Sequence, residues 1–325
     1  MAGSTLRMGI RPAFFVSIVK PFLLTAVLFA FIAGDASAQR RHGSSPLDTL
    51  GEEVSQAEGL EILNAFRRLG IAGDYRLSFT LEIRPRKEKT TTVSGLLLGT
   101  QSTYGPLSRI DIALEPADVT ELGKLVPAKV KRLLLQNGIF ANALEVNSWE
   151  GGEAGGARLI ESAAFFEKIA GSDFTVFDLL MPFSFWQEFK YEGRTTMRSR
   201  PTHVFSLYPP SEDEELGKRI SQVRIYLDEE FNALNRVEIF DASEELVKTI
   251  SVVAFKIVDG QGVLSQVDVR NEETRDKTRF RVLDAAIGVE VPDWVFEPEG
   301  LGKNIYGTEL AHLQAPESSD ADVDQ

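Results

Sequence analysis

The 325-residue chain contains no cysteine and only three histidines, His42, His203 and His312. Without thiols there can be no disulfide, thiolate metal site or lipid-modified cysteine, so stability must come from packing. The histidines are scattered: one in the leader, one at a strand start and one near the C-terminus. None has a second ligand or base at metal or triad spacing, and each reads as a surface or edge residue. A G-x-S-x-G elbow is missing, and the glycine run at 151–156 (GGEAGG) lacks the Lys and Ser/Thr of a phosphate loop. No D-x-[DN]-x-[DN]-G calcium loop occurs either, and the acidic run 212–215 reads as a solvated loop. Positive charge is also scarce: 35 Lys and Arg stand against 48 Asp and Glu, a net charge of −13. That balance argues against a nucleic-acid partner and against tight binding to an anionic bilayer. These shortages leave no nucleophile, base, metal or cofactor site, and the chain reads as a non-enzyme.

The N-terminus has the organisation of an export signal. Arg7 and Arg11 precede apolar runs at 14–19 and 22–32, and Ala36-Ser37-Ala38 supplies small residues for cleavage before Gln39. The run after Pro21 is shorter than the ~20 apolar residues of a comfortable membrane span. Residues 1–38 therefore read as a cleaved signal peptide, with an uncleaved anchor as the alternative, and the protein as periplasmic. Removing them takes out Arg7, Arg11, Lys20 and Asp35, which shifts the net charge to about −15 over roughly 290 residues. Residues 39–53 read as a flexible leader, 54–313 as one domain and 314–325 as a disordered acidic tail.

Within the domain, apolar residues at near-helical spacing (Ala57, Leu60, Leu63, Phe66, Leu69) predict an amphipathic helix over 54–69, ended by Gly70. Strict alternation then makes 74–85 a half-buried strand, with Tyr75, Leu77, Phe79, Leu81 and Ile83 on one face, and 90–98 is its hairpin partner. Residues 109–114 form another strand. Segments 129–136 and 139–146 flank Asn137-Gly138 as a two-residue hairpin, with a helix over 124–135 as the alternative. A helix over 159–170 should bury Phe165 and Phe166, and a short helix over 176–180, capped by Ser172 or Asp173, should stop before Pro182. The next stretch, after the aromatics, is a charged, Thr-rich turn leading into a strand at 204–208. Strands at 222–227, 234–240, 246–258, 263–270 and 278–283 follow with short connections, hence antiparallel neighbours. The mixed-charge turn 271–281 reads as strand-edge protection, and Pro292–Phe296 as a brief apolar plug. The pattern is an α+β domain with helices against one face of a large antiparallel sheet.

The densest apolar material lies at 171–186, where Phe174, Phe177, Leu180, Met181, Phe183 and Trp186 crowd together. The sequence leaves two readings open, an ordinary core or a greasy ligand cavity. A resemblance bears on this choice. The opening GLEILNAFRRLG followed by DYRLSFTLEI, the segment GSDFTVFDLL, the succession RIYLDEEFNALNRVEIFDASEELVKTISVVAFKIVDG and the closing VPDWVFEPEGL, in that order over about residues 54–301, resemble the LolA-like superfamily, specifically its outer-membrane lipoprotein-sorting branch.

The resemblance implies a large curved antiparallel sheet, an unclosed half-barrel, with helices covering its open concave face and a hydrophobic cavity between them. It implies a carrier or chaperone that holds acyl chains of lipids or lipoproteins for outer-membrane sorting. An envelope sensing module that binds a protein partner through the same fold is the alternative. The cavity and lid residues would be Tyr75, Leu77, Phe79 and Leu81 from the first strand with Phe174, Phe177, Leu180, Met181, Phe183 and Trp186. No cofactor is implied, and the protein is expected to act as a monomer. Phe177→Glu or Trp186→Glu is expected to abolish acyl-probe binding while leaving the sheet intact.

Overall fold

The computed structural model of the protein describes residues 55–115, 127, 129–148 and 156–314. The expected signal peptide, the leader, nearly all of the glycine loop and the acidic tail from 315 onward lie outside these residues, as does His42.

All the strands among the described residues join one 13-stranded antiparallel sheet. The chain begins in its middle with β1 (Asp74–Arg84) and steps outward through β2 (Thr91–Ser102), β3 (Gly105–Ala113), β4 (Val130–Gln136) and β5 (Asn142–Ser148) to β6 (Arg158–Leu159) at one edge. Residues 160–188 then cross to the opposite edge, where β7 (Phe189–Met197) begins. From there β8 (Arg200–Leu207), β9 (Ile220–Asp228), β10 (Leu234–Asp241), β11 (Leu246–Val258) and β12 (Gln261–Asn271) step back inward. Finally β13 (Lys277–Val289) pairs with β1 over its full length. The edges β6 and β7 do not meet, so the sheet is an unclosed half-barrel. The expectation of a large antiparallel sheet in the form of an unclosed half-barrel is met.

Alternation within the strands separates two faces. On β3, Ile110 and Ile112 point to the concave side while Arg109 and Asp111 point to the convex side, and on β1 the odd positions are concave. The concave face holds the largest core, which joins β-strand residues to α1 (Gln56–Arg67) and to the 160–188 crossing. Ser55 caps α1 by accepting a hydrogen bond from the Glu58 amide. Leu63 and Phe66 are fully buried as expected, but Ala57 and Leu60 face solvent. Gly59 takes the inward position instead, because a Cβ there would sit 2.6 Å from the Tyr191 side chain of β7. The Gln56 carboxamide also bonds both the N–H and the C=O of Tyr191 (2.8 and 2.9 Å), occupying the outer edge of the last strand as a further strand would.

Several expectations are corrected here. The stretch expected as a charged turn after Gln187 is strand β7, whose Lys190, Glu192 and Arg194 suit a sheet edge. The Asn137-Gly138 connection is a five-residue loop, 137–141, rather than a two-residue turn, and the helix alternative over 124–135 yields to β4. A single 3-10 turn, Ser162–Phe166, replaces the helix over 159–170, and Phe165 and Phe166 are only half-buried, because Arg158–Leu159 extend the sheet edge. The 271–277 turn joins β12 to β13 inside the sheet, so its charges guard no edge and pair with one another instead. His203 is buried in β8, with Nδ1 2.7 Å from the Tyr191 hydroxyl.

The convex face is covered as well, which the alternation of β1 did not foretell. Arg76, Ser78 and Thr80 are buried together with their apolar neighbours, so β1 is closed on both sides. The cover is the segment 290–313, a strap of 3-10 turns whose Val291, Val295, Ile305, Tyr306 and Leu310 pack on Leu96 and Leu98 of β2 and Ala286 of β13. Beneath it Arg109, Asp111 and Arg132 form a fully desolvated network. Arg109 grips the Asp111 carboxylate with Nε and Nη2 (2.8 and 3.1 Å) while donating to the carbonyls of Gly300 and Lys303, and Arg132 Nε adds a bond to the same carboxylate at 3.1 Å. Gly300 is required there, since a Cβ would lie 1.6 Å from the Trp294 carbonyl oxygen.

The strap ends on Arg76, which bonds the Leu313 carbonyl and the Asp284 carboxylate. The Arg76 bond and charge hold Asp284 below the usual carboxylate range. A folded-state pKa lowered in this way contributes stability above the unfolded value of about 3.9 and loses it as pH falls through the lowered one. The thermal midpoint is therefore expected to drop as pH falls below about 4, and Asp284→Asn should reduce that drop in a pH series of melting curves.

Candidate functional site: the concave face and its lid

The crossing that spans from β6 to β7 packs on the concave face and carries the residues expected in a lid, and it is called the lid for that reason. Its first half forms a narrow hairpin in which Ile169 N–H bonds Phe174 C=O, turning through left-handed Ala170 and Gly171. Next comes α2 (Val176–Leu180), which has a capping box: Thr175 accepts from the Asp178 amide and Asp178 accepts from the Thr175 amide. Thr175, rather than Ser172 or Asp173, is the cap. Met181 ends the helix in the left-handed region and Pro182 prevents its continuation.

Asp173 and Asp178 are not solvated carboxylates, as a surface pair would be. Asp173 reaches down to β13, where Thr278 donates to its carboxylate (2.9 Å) and accepts from its amide (2.8 Å), and Lys168 closes over it at 2.8 Å. Asp178 reaches β11, where Lys248 Nζ lies 2.8 Å from Oδ2, while its Oδ1 is buried with no hydrogen-bond partner. Two further ties hold the lid at its far end. Asn137 donates to the carbonyls of Leu179 and Leu180, and Arg67 of α1 donates to those of Ser184 and Trp186. Sequence spacing marked both aspartates, but their partners lie 70 and 105 residues away.

The structure brings most of the sequence-selected residues together. Phe177 stacks on Phe166 at 4.9 Å between ring centroids and touches Phe183 and Trp186 at 5.7 and 6.3 Å. Phe174, Leu180, Phe79 and Leu81 join the same cluster, and Met181 packs on it half-buried. Tyr75 and Leu77 share the face but belong to a second cluster with Ile71, Val282 and Ile287. The rings of Tyr75 and Phe79 lie over Gly99 and Gly95, their cross-strand neighbours, where any Cβ would collide with them. Phe177 is 2% exposed and Trp186 6%, so a charge at either position strikes the core, and Phe177→Glu or Trp186→Glu is now expected to destabilise the fold.

A different set of apolar side chains gives no such signal in the sequence. Phe255 of β11, Leu264 of β12, Phe280 of β13 and Leu97 of β2 pack against the lid cluster yet stay partly open to solvent. Phe255 and Leu264 are direct cross-strand partners, and Phe280 lies 5.0 Å from the ring of Phe79. Leu97 and Phe280 also pack on the second cluster, so this strip runs between the two. Each sits in an ordinary alternating strand, and only the pairing of β13 with β1 puts them side by side. Two solvent clefts, of about 220 and 340 Å3, lie elsewhere and include no lid residue. Among the described residues no group of three or more His, Asp or Glu side chains is placed to hold a metal ion.

An open half-barrel with an apolar concave face under a pinned crossing is the LolA-like fold. Solved structures agree. A DUF1329 family protein from Desulfovibrio piger superposes with a TM-score of 0.63 at 16% identity, over 75% of this chain and 98% of that one. A putative outer membrane lipoprotein-sorting protein domain from Vibrio parahaemolyticus gives 0.57 at 14% identity, over 71% and 92%. A LolA superfamily protein from Nitrosomonas europaea gives 0.50 at 10% identity, over 75% and 98%. At these identities the likeness is one of fold. A family model described as "uncharacterized protein" matches residues 155–303, from the lid to the strap, and no curated protein matches the chain.

Proposed function

We propose that this protein is a non-catalytic, periplasmic carrier that holds acyl chains of lipids or lipoproteins on the concave face of its half-barrel. The observation that carries this reading is the half-exposed strip of Leu97, Phe255, Leu264 and Phe280 between two fully buried clusters, under a lid attached at few polar points. Phe79 and Leu81 form the floor beneath it, and Phe174, Phe177, Leu180, Met181, Phe183 and Trp186 form the underside of the lid. Tyr75 and Leu77 line the far end. Each methylene moved from water onto such a surface contributes about 0.8 kcal/mol. A chain of ~14 carbons therefore offers of the order of 10 kcal/mol before ordering costs, with no need for a catalytic group. The likeness to a lipoprotein-sorting domain supports the same cargo class.

Native mass spectrometry of the protein isolated from its own envelope fraction tests the proposal. Co-purified lipid or acylated peptide is the expected result; an empty protein with a stoichiometric protein partner counts against it. The site itself is tested by an acyl-fluorophore titration. Phe255→Asp and Leu264→Asp are expected to weaken binding roughly tenfold or more while melting remains cooperative, and unchanged affinity would remove the strip from the site.

A further inference from the structure

One end of the sheet presents a second apolar feature that the concave face does not use. Tyr104, at the β2–β3 turn, is 67% exposed, and Ile139 and Phe140, in the β4–β5 loop, are 64% and 67% exposed. The two tips meet. Tyr104 and Phe140 stand edge to face with ring centroids 6.3 Å apart. Their backbones are locked together as well. Gly105 (φ +125) would place a Cβ 2.5 Å from the Asn137 carbonyl oxygen, and Gly138 (φ +115) would place one 2.6 Å from that of Tyr104. Large apolar side chains on a loop normally fold back onto the surface. Here a close backbone contact that tolerates only glycine holds them outward.

The charge pattern points the same way. Residues 90–108, 133–144 and 179–187 contain no Asp, Glu, Lys or Arg, in a chain that is 26% charged. The first two stretches carry the tips, and the third is the lid end that Asn137 ties to the 137–141 loop. The two tips thus present a phenol, a phenyl and a branched aliphatic group to solvent from uncharged stretches of chain. Three side chains cannot bury the ~1,200–2,000 Å2 of a stable protein interface. They match instead what enters the boundary between lipid headgroups and acyl chains, where aromatic rings are favoured and charges are costly. The net charge of −13 turns the protein away from anionic surfaces.

We infer that the Tyr104–Ile139–Phe140 tip is a membrane-contact site that inserts shallowly into a zwitterionic lipid leaflet. This does not rest on acyl-chain binding at the concave face and can hold or fail separately from it.

The absence of cysteine makes the test direct. In the full chain, Ile139→Cys carrying a nitroxide is compared with the same label on Leu283→Cys, which is 41% exposed within β13. With phosphatidylcholine vesicles, the label at 139 should gain oxygen accessibility and lose accessibility to a water-soluble nickel chelate, while the label at 283 should not change. Adding Tyr104→Ser and Phe140→Ser should abolish the change at 139. The control site separates tip insertion from attachment through the apolar N-terminal segment. The inference is overturned if position 139 stays equally open to the nickel chelate with vesicles, if the Ser variants insert unchanged, or if the label is shielded without lipid as protein concentration rises, which would mark a contact between copies.

Discussion

Asp111→Ala is expected to remove about 3–5 kcal/mol of stability, measured as a shift of the urea midpoint at unchanged slope. The size follows from burial. Arg109 and Asp111 are completely inaccessible and Arg132 is nearly so, so neither guanidinium can turn to water when the carboxylate is lost. Among the described residues the remaining acceptors are the carbonyls of Gly300, Gly302 and Lys303 on the strap, which supply partial charges only. Two cations would then face each other in a desolvated layer. The pair itself need not be a large net stabiliser; the loss comes from leaving its partners unpaired. Replacing all three, as Arg109→Met, Asp111→Leu and Arg132→Met, is accordingly expected to cost less than Asp111→Ala alone. A loss under about 1 kcal/mol for the single variant would mean that the strap does not seal this layer. Tyr306, whose hydroxyl bonds the Asp111 carbonyl at 2.8 Å, should show the loosening as increased proteolysis after the strap detaches.

The strap also explains what could and could not be read in the sequence. The alternation of β1 marks a strand and its apolar face correctly, because period two is a local property. Its polar face looks solvated for the same reason. Arg76 is buried under the Leu313 carbonyl, which returns across more than two hundred positions to meet it. Likewise Arg109-Ile110-Asp111 reads as an ordinary strand, and only the cross-strand register that sets Asp111 opposite Arg132 turns it into a buried network. The short helix 176–180 was legible from its stop before Pro182, although its cap is Thr175 rather than Ser172 or Asp173. The crossing from one sheet edge to the other was not, since edge strand β7 is written in charged and Thr residues that mimic a loop. Of the candidate site, the clustering of the aromatics in the crossing was legible by composition. The half-exposed strip was not, because exposure at Phe255 and Phe280 depends on where the lid stops.

That distinction bears on how the concave face could take a chain. The lid residues with the greatest apolar content, Phe177, Phe183 and Leu180, are already satisfied by one another and by β-strand partners. On the proposed reading, an acyl chain would either use the open strip alone or displace part of the lid. The polar ties decide how easily the second occurs. Apolar packing that the lid gives up on lifting is regained against an acyl chain, whereas the Asp178–Lys248 and Asp173–Thr278 bonds are not.

Lys248→Met is therefore expected to free the lid without unfolding the sheet. The Asp178 side chain is 1% exposed, and among the described residues its Oδ1 has no partner and Lys248 is the only cation paired with it. Leaving that carboxylate unpaired costs about 3–5 kcal/mol if the lid stays down. Lifting α2 into water relieves the cost locally, at the expense of the Thr278, Asn137 and Arg67 bonds. Amide exchange at 175–186 should accelerate by roughly a hundredfold or more, the equivalent of ~3 kcal/mol, while the amides of β1 and β13 keep their protection. An acyl probe should associate faster with the variant when lid opening limits entry. Lys248→Met combined with Asp178→Leu removes both charges and should restore slow exchange, because the capping box contributes less than the buried charge costs. Uniform acceleration across the sheet would instead show that the lid and the half-barrel open as one unit. In that case the Asp178–Lys248 pair holds the core together and is no latch.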